Sequence, residues 1–236
     1  MKYFANLLAL SACTMIIISS CNDNNSASPY DEIFSQKPFA AITDSIKKDP
    51  ENDRLIFRRA VLLNTNNFPE PALADFRKAW TIQKDERYAL GIATLLLEKK
   101  ADSAILFLQE ALKELPGSFL LRLSLARGYT ASGKTKEALA ICDELLSQKP
   151  DLADVIKLKA DLLDKDQKTG EATRLWEQAY QLAPFDVELN YILALRYAEA
   201  KNPKVLAICD SLIRADTEGT HGEPYYYKGI YYASIN

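Results

Sequence analysis

Small and apolar residues recur along this chain with a period close to 34. A small residue stands at Ala60, Ala93, Ala126, Ala160, Ala194 and Gly229, at spacings of 33, 33, 34, 34 and 35. A second series runs Ala72, Ala104, Ala138, Ala172 and Val205. Four residues after each come Phe76, Leu108, Cys142, Trp176 and Cys209, and three further on Ala79, Ala111, Leu145, Ala179 and Leu212. Positions i, i+4 and i+7 share one face of a helix, so each unit predicts a helix with one apolar stripe, preceded by a helix carrying the first series. Small residues let two helices approach closely, and the large ones fill the space beside them. A pair this short cannot bury its apolar faces alone, so the pattern predicts stacked pairs, an all-α solenoid.

The period divides the array at 51–236 into units at about 53–85, 86–117, 118–152, 153–186 and 187–219. Partial units lie at 30–50 and 222–236. Residues 30–50 resemble the second helix of a pair, with Ile42, Ile46 and a closing Asp49-Pro50; they cover one end of the stack. Gly133-Lys134-Thr135 and Lys168-Thr169-Gly170 supply turn and capping residues within units. Pro69, Pro71 and Pro203 mark starts of second helices. The tyrosine-rich stretch Glu223 to Tyr232 reads as a first helix without its partner, which points to a piece of a longer array or to an edge that another protein covers.

Leu125-Ala126, Tyr129, Gly133, Ala138 and Pro150, together with Leu193-Ala194 and Tyr197, resemble the tetratricopeptide repeat. That repeat has aliphatic and small residues at its seventh and eighth places, an aromatic at the eleventh, and a closing proline. The resemblance covers about 38–236 and implies a right-handed α-α superhelix of about five helix pairs plus a partial repeat at each end. Arg59, Lys159 and Lys228 depart from the aliphatic seventh place, and the second unit is shortened. The resemblance also implies a concave groove lined by first helices, which takes a protein or peptide partner. Its positions here are Arg54, Phe57, Asn64, Arg87, Leu90, Thr94, Leu123, Arg127, Lys157, Asp161, Asp164, Glu188, Tyr191 and Tyr226. Arginines gather early in that set and carboxylates later, so the groove is expected to be polarised along its length. Val61, Thr94 and Arg127 stand where a chaperone-binding carboxylate clamp would need asparagine.

Residues 1–20 carry Lys2 and an apolar run from Phe4 to Ile18, short of the roughly 20 residues that span a bilayer. The run ends in Ile18-Ser19-Ser20-Cys21, which resembles the lipobox of bacterial lipoproteins. That resemblance implies cleavage of a signal peptide at 1–20 and acylation of Cys21, palmitate being the chain expected. More than one acyl chain gives durable anchoring, so the membrane is a partner through this lipid. Residues 21–29 are small and polar and read as a flexible tether. Asp23 is not directly beside the cysteine, which leaves the inner-membrane retention signal absent and implies the outer membrane.

Charge and chemistry narrow the picture. The chain of 236 residues has net charge −3, no Lys/Arg run and little glycine, which argues against nucleic-acid binding and against β architecture. Cys142 and Cys209 hold one repeat position two units apart, too far for a disulfide, and read as small buried apolar residues. No metalloprotease, nucleophile-elbow or phosphate-loop motif occurs. Asp161, Asp164 and Asp166 read as a solvated helix face, and the single histidine, His221, as a loop residue. No catalytic residue, metal or cofactor is assigned, and the chain is read as a non-enzyme: a lipid-anchored envelope scaffold for partner proteins. The alternative is a glycan- or nutrient-binding surface lipoprotein, which would need aromatic platforms on inserted loops.

Overall fold

The computed structural model describes residues 28–235; the expected leader, Cys21 and most of the expected tether lie outside them. Among the described residues there are helices and no strand. They begin with α1 (Asp31–Phe34) and α2 (Ala40–Lys48). The pairs follow: α3 (Asp53–Thr65) with α4 (Pro69–Ile82), α5 (Glu86–Lys99) with α6 (Ala101–Glu114), and α7 (Phe119–Ala131) with α8 (Thr135–Gln148). Then come α9 (Ala153–Lys165) with α10 (Thr169–Leu182), α11 (Val187–Glu199) with α12 (Lys204–Ala215), and α13 (Glu223–Ile235).

From α2 onward each helix packs on the next in the chain, and first helices also touch across units, as α5 does α7 and α11 does α13. The core is a row of apolar clusters rather than one centre. Both small-residue series lie in it. Ala60, Ala93, Ala126, Ala160 and Ala194 are buried, as are Ala72, Ala104, Ala138, Ala172 and Val205. Cys142 and Cys209 are buried free thiols, and burial pushes each up to about 11. Gly229 breaks the series: it is exposed, and a Cβ there would meet nothing within 4 Å. On the same helix Tyr231 is buried among α11 and α12 side chains, while Tyr226 and Tyr232 are exposed.

Turns within units repeat one backbone solution. Asn67, Gly133, Gln167 and Lys201, each seven residues after a series alanine, have φ of 62°, 70°, 61° and 53°. The next amide in each case bonds back to the eleventh-place carbonyl: Phe68 to Leu63, Lys134 to Tyr129, Lys168 to Leu163 and Asn202 to Tyr197, at 2.8–3.0 Å. This left-handed cap satisfies carbonyls that a helix end leaves open. In the fourth unit the turn residue is therefore Gln167 and not Gly170, which lies in the first turn of α10. The shortened second unit has no such turn; Lys100 alone joins α5 to α6. Four first helices, α3, α5, α7 and α11, are capped by side chains, Asn52 to Leu55 N–H, Asp85 to Arg87, Ser118 to Leu121 and Asp186 to Leu189, whereas α9, entered from Leu152, has no such cap.

The seventh-place charges have partners that the periodicity alone did not supply. Each reaches the residue just after the seam position on the preceding second helix. Lys159 pairs with Asp143 at 2.6 Å, Lys228 with Asp210 at 2.7 Å, and Arg59 donates to Thr43 at 3.2 Å. Where the seventh place is leucine, the eleventh-place tyrosine makes the contact instead. Tyr129 bonds Gln109 at 3.0 Å, and Tyr197 donates to Glu177 at 2.7 Å. One polar clasp thus crosses each of these five unit boundaries.

Arg59 is the buried member of the set. It also grips Asp75 with two bonds of 2.6 and 2.8 Å and lies 3.8 Å from the Phe34 ring centre. Removing one partner of a buried ion pair strands the other charge, which costs about 3–5 kcal/mol. Asp75→Ala is therefore expected to destabilise the α1–α4 end by about that amount. In urea unfolding followed by tryptophan fluorescence in single-tryptophan variants, Trp80 on α4 should report the loss well before Trp176 on α10.

Candidate functional site

The first helices α3, α5, α7, α9 and α11 form one side of the solenoid, and three recesses lie along it. The nearest to the N-terminal end, about 350 Å³, is lined by Ile42, Phe57, Arg58, Val61, Leu62 and Thr65. The central cleft, about 250 Å³, runs from α7 across α9 to α11. Its floor is Leu158, Trp176, Leu189 and Ile192, and its walls are Arg127, Asp154, Lys157, Asp161 and Glu188. The third, about 270 Å³, joins Val187 and Tyr191 to the α12–α13 connection at Asp216 and His221.

Of the residues expected in a groove, Arg127, Lys157, Asp161 and Glu188 come together in the central cleft. Phe57 belongs to the first recess, its ring against Phe76 and Tyr88 at centroid distances of 5.8 and 4.9 Å. Tyr191 belongs to the third. Arg54 and Asn64 are exposed at opposite ends of α3, and Leu90 and Thr94 follow on α5 while Leu123 is buried. Arg87 is exposed but held by its own cap residue, with bonds of 2.9 and 2.7 Å to Asp85. Tyr226 stands exposed on α13 beside Tyr227.

Asp164 differs from both expectations for it, the groove residue and the solvated face. It is only 23% exposed, accepts the Trp176 indole N–H at 2.8 Å and pairs with Arg196, which ties α9 to α10 and α11. Its neighbours go elsewhere: Asp161 to Lys165 at 2.7 Å and Asp166 to Lys168 at 2.7 Å. Among the described residues no group of three or more His, Cys, Asp or Glu is placed to hold a metal ion.

Five of the cleft's lining residues, Asp154, Leu158, Trp176, Leu189 and Ile192, are not in the set expected from the sequence, although the period carries a signal for three of them. Asp154 stands 34 residues before Glu188, and Leu158 the same distance before Ile192; the sixth place faces the cleft as well as the second. A larger recess of about 390 Å³ opens on the opposite side, between α10 and α12. Its carboxylate, Glu177, is already engaged by Tyr197 and Lys204.

A family model described as tetratricopeptide repeat matches residues 95–162. The solved structures of similar fold include PilW, a type IV pilus biogenesis factor, with TM-score 0.65 and 18% identity over 79% of this chain and 87% of that one. They also include pilF of Pseudomonas aeruginosa, at 0.64 and 18% over 85% and 92%. YrrB, described as a TPR protein with an unusual peptide-binding site, aligns at 0.51 and 21% over 80% and 98%. The fold is a tetratricopeptide-repeat solenoid. No curated protein is similar enough in sequence to match. The solenoid's common use, protein–protein interaction, fits a surface of shallow recesses between helices.

Ion pairs across units tune this surface and its acid sensitivity. Lys157 on α9 donates to Asp186, the cap of α11, at 2.8 Å. That bond holds the Asp186 carboxyl below its ordinary 3.8, helped by the Leu189 amide. A carboxyl lowered in the folded state contributes stability in full above its unfolded value and loses it as pH falls through the folded one. The urea midpoint should stay flat from about pH 7 to 5 and fall below about pH 4. In Asp186→Asn that acid decline should be shallower, measured by circular dichroism in urea at stepped pH.

Proposed function

We propose that this chain is a lipid-anchored scaffold of the bacterial cell envelope, held through Cys21 and binding partner proteins on the inner surface of its solenoid. The observation that carries the binding half is the central cleft, where side chains from three successive first helices converge on an apolar floor. A protein segment laid along the row meets each unit in turn, which suits an extended or helical partner. The turns between helices within units are only a few residues long, so recognition falls to the helix faces themselves.

The anchor rests on the Ile18-Ser19-Ser20-Cys21 pattern and on the polar stretch after it, which would hold the solenoid clear of the lipid surface. No helix among the described residues is long and apolar enough to cross a membrane, so attachment in this reading is through the acylated cysteine. An outer-membrane address follows from the residue after Cys21, Asn22, where retention would need aspartate. The structural likeness to pilus biogenesis factors supports a role in assembling envelope machinery. Metabolic labelling with a palmitate analogue should mark the wild-type protein in the membrane fraction. Cys21→Ala should lose the label and accumulate unprocessed; unchanged labelling would remove the anchor.

A further inference from the structure

The charges in the central cleft are not all available to a ligand. Lys157 is engaged by Asp186 and, at 3.6 Å, by Asp154; Asp161 is engaged by Lys165. Arg127 and Glu188 are exposed and have no ion-pair partner among the described residues. They stand on opposite walls, one on α7 and the other on α11, with α9 and the apolar floor between them. The cleft therefore presents one free cation, an apolar recess and one free anion in a line.

Arg127 holds the ninth place of its helix and Glu188 the second, so the line runs diagonally over the stacked helices. Both side chains line the same recess of about 250 Å³, on opposite walls, so a short segment laid across it meets both. At about 3.3 Å per residue, an extended segment of roughly four to six residues is long enough to cross a recess of this size with side chains reaching both walls.

We infer that the cleft selects an extended peptide segment carrying an acidic residue for Arg127, an apolar side chain for the Leu158–Ile192 floor, and a basic residue for Glu188. This rests on the reading of the inner surface as protein-binding and names its chemistry. Charge complementarity supplies order, because a segment acidic or basic at both ends meets one like charge. The buried apolar side chain supplies most of the attraction, and the flanking pairs, being solvated, add modest selectivity.

Fluorescein-labelled dodecapeptides with Glu and Lys five residues apart and a central Leu or Phe test this by anisotropy at low salt. The mixed-charge peptide should bind more tightly than the di-acidic, di-basic and central-Ser versions. Arg127→Glu and Glu188→Lys should each weaken it by about three- to tenfold, as expected for solvated charge pairs turned repulsive. The double variant should recover much of the loss, because the same peptide can run in the opposite direction. Circular dichroism should be unchanged, since neither side chain has a partner to lose. Equal binding of all peptides, no binding, or no change in the single variants overturns the assignment. A photo-crosslinking residue at position 192 or 94, used in whole envelopes, separates the two claims. Crosslinks to a partner at either site with failed peptide selectivity would sink the cleft chemistry alone, whereas none at both would sink the protein-binding reading too.

Discussion

Close approach of helices at the alanine seams is the constraint on which the rest depends. A first helix must lie against its own second helix and against both neighbouring units, and only a small side chain at the eighth place permits all three. Ala60, Ala93, Ala126, Ala160 and Ala194 are each at most 1% exposed. Gly91 shows the same pressure one position from the seventh place: a Cβ there would sit 2.7 Å from the Phe76 ring. Because every contact is with a neighbour, stability accumulates along the row and has no centre. A row of this kind exposes a continuous face of first helices, and that face carries the recesses.

Polar clasps adapt the seam without breaking it. A lysine at the seventh place removes an aliphatic contact but reaches across to an aspartate on the previous unit. Lys159 and Lys228 are each 27% exposed, so their stems cover apolar surface while the ammonium stays near water. Their pairs add little energy, though they fix which residues face each other across the boundary. Arg59 differs because α1 and Phe34 close over it. Asp75 fixes its guanidinium in place, and the bond to Thr43 and the contact with Phe34 then tie α1 and α2 to the stack beside the buried Phe34, Phe39 and Ile46.

Period and spacing made the fold legible, since 34-residue repetition of alanine seams has few other solutions. The partners of Arg59, Lys159 and Lys228 were not legible in the same way. They sit 16 to 18 residues off, on another helix, and only the packed row brings them opposite. Gly170 misled because glycine marks left-handed turns on average, while here Gln167 takes that conformation and the helix begins at Thr169. The cleft was half legible: place numbering leads to Arg127, Lys157, Asp161 and Glu188, which do line it, but not to the internal pairs that engage Lys157 and Asp161. Asp164 was misread because its partner Arg196 comes from the following unit.

The cleft and its free charges matter only if the units behave as linked neighbours, each holding the next in register. Hydrogen exchange followed by mass spectrometry on the Ala160→Leu variant tests this most directly, since overpacking one seam costs about 1–3 kcal/mol. Faster exchange confined to α9 and α10 and to the adjoining α8 and α11, with α3 to α6 unchanged, is the expected result. An equal loss of protection from α3 to α13 would mean a single cooperative core and would contradict the account.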